Sequence, residues 1–262
     1  MTPRRAGTRP PDIADAAIGL AGAAEGPQAR NGAAAEGRRL ASVASTLGRS
    51  ARDAGLVAVT SGRWLAETVV EMASHLPVRD RATLEAHHGG LSGEALGDAV
   101  VRNACRSSAA LGAAAGTLMG AEELLPASWA AVPFELLAET AALAVIEMKL
   151  IGELHEVYGQ PVRGSARERG YALARAWAEE RGVSSALLIG GVPAVGDALG
   201  RGTRNQLIKA VRRRVLRRTG ASLAALGPLM IGAAAGAAVN RRSTRRLGAK
   251  VIDSLETGEA PG

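Results

Sequence analysis

Apolar residues recur along much of this chain at intervals of three and four, the spacing that puts them on one face of an α-helix. Trp64, Leu65, Val69, Met72 and Leu76 make the first clear run, and Pro77 ends it by removing a backbone donor. Asp80 follows as an N-cap for a short helix through His88, which Gly89-Gly90 breaks. Ser92 then caps a long helix carrying Leu96, Val100, Ala104 and Leu111. A second long helix is predicted over 134–158, after Pro126 and Pro133 and before Gly159 and Pro161. On it Glu135, Glu139, Lys149, Glu153 and Glu156 share a stripe, and Leu136, Leu143, Leu150, Leu154 and Val157 fill part of the rest. Glu147 lies about 120° around from Glu135, on the border of the apolar side. It is a candidate buried carboxylate, either paired with a cation from the C-terminal arginines or snorkelling to solvent. Further helices are predicted over 166–181, 184–189, 204–218 and 229–255, and no stretch alternates with period two for long enough to form a strand.

Composition sharpens the fold class. Gly alone supplies 33 of 262 residues, Ala is abundant, and Phe, Trp and Tyr together number six. A core of Ala, Leu, Val and Gly buries little area per residue, so it needs close backbone approach. Aromatic and β-branched residues are too sparse for a many-stranded sheet. The expectation is all-α: a packed helical domain with Gly/Ala helix contacts and short apolar hairpins. Residues 1–55 read as a weakly ordered lead, since 2–11 carry three Arg and three Pro and 26–37 hold almost nothing to bury. Residues 56–257 read as one helical domain and 258–262 as a tail. A lone cysteine, Cys105, excludes an intrachain disulfide and a multi-cysteine zinc site, and fits a reducing compartment. No short basic stretch leads into an apolar run at the N-terminus, so a cytoplasmic location is expected.

Enzyme constellations are poor. Glu85 and His88 have the E-x-x-H spacing of a carboxylate-bridged metal site but lack a second copy. His155 has no carboxylate at a face-sharing separation. Cys105 lies between Arg102 and Arg106, though a small core residue on an Ala-rich helix is the commoner role. Residues 191–196 have the glycine spacing of a phosphate loop, but Asp197 stands where its lysine belongs. No catalytic residue, metal or cofactor is therefore predicted.

Charge is unevenly placed. Residues 199–252 hold 13 Arg or Lys and no Asp or Glu, within a chain of net charge +7. That block is either a face neutralised by acidic helices elsewhere or a landing surface for the phosphates of lipid or nucleic acid. Arg212, Arg213, Arg214, Arg217 and Arg218 precede the 22 uncharged residues 219–240, and Arg241, Arg242, Arg245 and Arg246 follow them. An integral span over 219–240 is the lesser alternative, since a single crossing would leave an arginine cluster on each side and no charge bias to orient it. A short hairpin, or a buried helix pair near the surface, keeps both clusters on one anionic leaflet.

Within this region Gly232, Gly236, Asn240, Thr244 and Gly248 recur every four residues, a ridge of small side chains that admits a close helix neighbour. Gly112-Ala-Ala-Ala-Gly116 repeats the pentapeptide Gly232 to Gly236 letter for letter, so the two ridges are expected to face each other.

The run from Pro228 through Gly232-Ala-Ala-Ala-Gly236-Ala-Ala-Val-Asn240-Arg-Arg-Ser-Thr244-Arg-Arg-Leu-Gly248 resembles the closing motif of the EcsC family. The helix ending Glu153-Leu-His-Glu-Val-Tyr158-Gly159 resembles the family's Tyr-Gly helix end. The resemblance covers about 91–255, with a gap in the middle. It implies a helical bacterial protein with short apolar hairpins, linked by name to a transporter operon and without an established reaction. The reading that follows is a non-enzymatic protein, peripheral to the cytoplasmic face of a membrane. Its expected partners are an anionic lipid surface and a membrane or transport protein. The rival is a soluble binder of nucleic acid or of an acidic protein.

Overall fold

The computed structural model describes residues 15–20, 30–55, 58, 63–122, 132–181 and 228–258. Among these the fold is all-α. The helices are α1 (Arg30–Ala54), α2 (Arg63–Ser74), α3 (Arg81–His87), α4 (Gly93–Glu122), α5 (Val132–Val157), α6 (Ala166–Glu180) and α7 (Pro228–Thr257). Residues 15–20 are also helical and bury Ala16, Ala17 and Leu20 in the common core.

Local chemistry places several helix ends where the sequence predicts them. The Asp80 side chain accepts from the Thr83 amide (2.8 Å) and caps α3, and those hydrogen bonds hold its carboxyl below the usual range. Gly89 and Gly90 then turn the chain with φ of 68° and 84°, a region that side chains disfavour. Ser165 and Glu168 form a reciprocal capping box at the start of α6, which lowers the Glu168 pKa in the same way.

The architecture is organised around α5. Every residue of it from Leu137 to Val157 is buried or half-buried, because the six other helices all pack against it. The charged stripe of the sequence reading is therefore internal: Glu139, Lys149 and Glu153 are buried. A helix enclosed on every side has no solvent face to which charges can sort.

The first 55 residues, read from sequence as a weakly ordered lead, include a long helix. Residues Arg30–Ala54 form α1, which packs on α4 and α5. Leu40, Leu47 and Ala51 recur at steps of seven and four and are buried in the core, with Val43 and Ala44 packed beside them. Trp64 Nε1 of α2 donates to Ser50 Oγ (3.2 Å), tying this helix to the next.

Three contacts set the register of α4 and α7: Gly112 lies against Gly236, the Cys105 thiol donates to the Arg241 carbonyl (3.6 Å), and Val101 lies against Gly248. Residue numbers fall along one helix as they rise along the other, so the pair is antiparallel. Contacts of Glu139 with Asn240, Glu147 with Thr244 and Leu150 with Gly248 show α5 and α7 running in the same direction. From Pro228 the uncharged stretch continues without a break through Asn240 into the arginines as one helix. No helix among the described residues is long and apolar enough to cross a membrane. The helices predicted over 184–189 and 204–218, Arg212, Arg213, Arg214, Arg217 and Arg218, and the turns of the expected apolar hairpins lie outside the described residues.

Candidate functional site

The small-residue ridge is the inner face of α7. Gly236, Asn240, Thr244 and Gly248 are all buried, together with Leu247, Val251 and Leu255. At Gly236 the contact with α4 is backbone on backbone: a Cβ built there would fall on the Gly112 carbonyl, and one on Gly112 would fall on the Gly236 carbonyl. At Gly248 a Cβ would come within 2.9 Å of Val101 Cγ2. Gly116 and Gly232 lie within α4 and α7, one turn beyond the crossing on each helix.

The ridge also supplies hydrogen-bond donors. Asn240 Nδ2 donates to Glu139 Oε1 (3.1 Å) and Thr244 Oγ1 to Glu147 Oε1 (2.9 Å). Glu147 is fully buried and accepts in addition from Trp177 Nε1 (2.9 Å) and Arg181 Nε (2.9 Å), while Arg181 Nη2 closes a bidentate pair on Oε1. Arg181 Nη1 donates to Ser243 Oγ of α7. Glu147 is thus a buried carboxylate, but its cation is Arg181, the residue after α6, and the C-terminal block contributes hydroxyls only. Sequence spacing did not point to Arg181, because the pair spans 34 positions and two helices.

A second buried ionic group closes the other half of α5. Arg79 Nε and Nη2 donate to the two oxygens of Glu153 (2.8 and 3.1 Å), and Lys149 Nζ donates to Pro77 O (3.0 Å) beside Glu153 Oε1 (3.1 Å). Lys149 is only 1% exposed. Nearby, burial and the Arg79 charge hold the His88 imidazole below its ordinary pKa. Both arrangements account for charges on α5 as packing, with Glu147 and Glu153 themselves buried. Tyr158 is pushed up to about 12, first by burial and then by Glu256, to which its hydroxyl donates (3.3 Å). Burial raises the Cys105 thiol pKa against the opposing pull of Arg245 and Arg241, as expected of a core cysteine. Among the described residues no group of three or more His, Cys, Asp or Glu could hold a metal.

The outer face of α7 is different. Arg241, Arg242, Arg245 and Arg246 are exposed. Lys250, a turn further on, is paired with Glu180 (3.1 Å), but these four guanidiniums have no carboxylate partner among the described residues. Ahead of them on the same face Ala234, Ala235, Ala238 and Val239 are exposed, Val239 to 62%. Ala109 of α4 joins Ala237, Ala238, Arg241, Arg242 and Arg245 in lining an open hollow of ≈ 420 Å³. Three alanines and three arginines line it. No family model matches this chain, nor does any curated protein or solved structure.

Proposed function

We propose that this chain is an EcsC-like, non-enzymatic helical protein that lies peripherally on the cytoplasmic face of a membrane and meets lipid phosphates through α7. One observation carries the reading: four exposed arginines stand on one side of a single helix with no carboxylate among the described residues to neutralise them. Each cation near an anionic leaflet contributes about 1 kcal/mol, a gain that salt screens over a Debye length of about 10 Å at 0.1 M. The exposed alanines and Val239 ahead of the arginines add an apolar edge, as interfacial helices require. The resemblance of the run from Pro228 to Gly248 to the EcsC closing motif points the same way.

The protein is expected to sediment with vesicles containing phosphatidylglycerol and to stay in solution with pure phosphatidylcholine. Bound protein should fall as salt rises. Equal binding to both vesicle types removes the electrostatic basis of the proposal. Tight, salt-dependent binding to duplex DNA without a lipid preference transfers the arginine face to a nucleic-acid partner.

A further inference from the structure

Three of the four exposed arginines differ from the fourth in what they surround. Arg241, Arg242 and Arg245 line the hollow, whereas Arg246 is exposed outside it. Arg241 and Arg245 are one turn apart on α7, and Arg242 lies about 100° around the helix from Arg241. Ala109, Ala237 and Ala238 complete the lining, and no carboxylate is part of it. A hollow lined by charge of one sign draws anions towards it. Guanidinium forks match phosphate oxygens bidentately, and a dianionic phosphate offers them more charge and one more free oxygen than a diester does. A volume of ≈ 420 Å³ exceeds what a phosphate group needs and leaves room for the adjoining glycerol.

Resting on the membrane reading above, we infer that the hollow is a seat for the phosphomonoester headgroup of an anionic lipid, held by Arg241, Arg242 and Arg245. Exposed Val239 and Ala238, one turn ahead of the arginines, favour a lipid over a free phosphate, because they meet the acyl boundary once the headgroup is seated. The face then discriminates between anionic lipids and does not only sense charge density.

The test compares vesicles of phosphatidylcholine doped with phosphatidic acid or with phosphatidylglycerol, the two sets adjusted to the same surface charge. The parent protein is expected to bind the phosphatidic acid set about tenfold more tightly. Arg242→Gln and Arg245→Gln should bring that ratio close to one, and Arg246→Gln should leave it intact while weakening both sets alike. All these positions are exposed, so the variants are expected to fold, which circular dichroism checks. Glycerol 3-phosphate is expected to compete only weakly. Full competition by it at equal concentration assigns the hollow to a soluble phosphomonoester and overturns the lipid assignment. A ratio of one in the parent, or equal losses from Arg242→Gln and Arg246→Gln, overturns the seat while leaving peripheral binding in place. Absence of binding to either set defeats the membrane reading itself.

Discussion

Gly236→Leu is expected to destabilise the protein strongly. A Cβ at Gly236 falls on the Gly112 carbonyl, and the atoms in conflict are backbone on both sides. No rotamer change relieves such a clash, so α4 and α7 must part along a contact that also carries Asn240 and Gly248. Overpacking of a well-filled core costs ~1–3 kcal/mol, and this site belongs at or above the upper end of that range. Helix propensity works in the other direction by up to about 1 kcal/mol, because glycine is a poor helix former. The two effects have opposite signs, and the steric one is larger. Against a typical domain stability of ~5–15 kcal/mol, the loss should be plain in a denaturant titration. Gly236→Ala and Gly112→Ala should both destabilise as well, since one methyl group is enough to meet the facing carbonyl. Ala237→Leu, about 100° around the helix at the half-buried edge of the hollow, should cost far less. If Gly236→Leu unfolds with the parent, the close crossing of α4 and α7 is wrong.

The second large loss is expected at Glu147. Its carboxylate is buried, satisfies Trp177, Thr244 and both forks of Arg181, and has no access to water. Glu147→Gln removes the charge and turns one acceptor oxygen into a donor amide facing N–H and O–H groups that are themselves donors. Breaking a buried ion pair by removing one partner costs ~3–5 kcal/mol. The Arg181 side chain retains 25% exposure and regains some hydration, so the loss is expected at the lower end, about 3 kcal/mol. Thr244→Val deletes one hydrogen bond and should cost about 1 kcal/mol. Adding Arg181→Met to Glu147→Gln should then cost little more, because the cation that the first substitution stranded is gone. Additive losses from the two substitutions would show that the groups do not act as a pair.

Where apolar spacing was dense, sequence and structure agree closely. The helices predicted over 166–181 and 229–255 are observed as Ala166–Glu180 and Pro228–Thr257, and Asp80 caps the short helix α3. The every-fourth-residue pattern from Gly236 to Gly248 marked the inner face of α7, because small residues at that interval leave a path for a neighbouring backbone. The same pattern also contained Asn240 and Thr244, and nothing in their spacing told that they donate to carboxylates 101 and 97 residues away. Helix α1 escaped notice because its buried positions, Leu40, Leu47 and Ala51, are few and lie among arginines, glycines and small polar residues. Periodicity misled at α5 for a different reason. A charged stripe normally faces water, but here the helix is enclosed, and Glu153 and Glu147 find their arginines 74 and 34 residues away in the chain. Long-range pairing of that kind leaves no local trace. The arginine face was the reverse case: its charge was evident from sequence, while the hollow beside it depends on Ala109 approaching from α4.

Membrane association through α7 is best tested by neutralising its outer face while leaving the inner one untouched. A variant carrying Arg241→Gln, Arg242→Gln, Arg245→Gln and Arg246→Gln keeps Gly236, Asn240, Thr244 and Gly248, the inner-face residues that meet α4 and α5. Its helical circular dichroism and unfolding midpoint should match the parent. At about 1 kcal/mol per arginine, its affinity for phosphatidylglycerol vesicles in low salt should fall by about three orders of magnitude. What binding remains should respond to salt less steeply than the parent's. A folded variant that still sediments with those vesicles as the parent does would contradict the assignment of this face to the membrane.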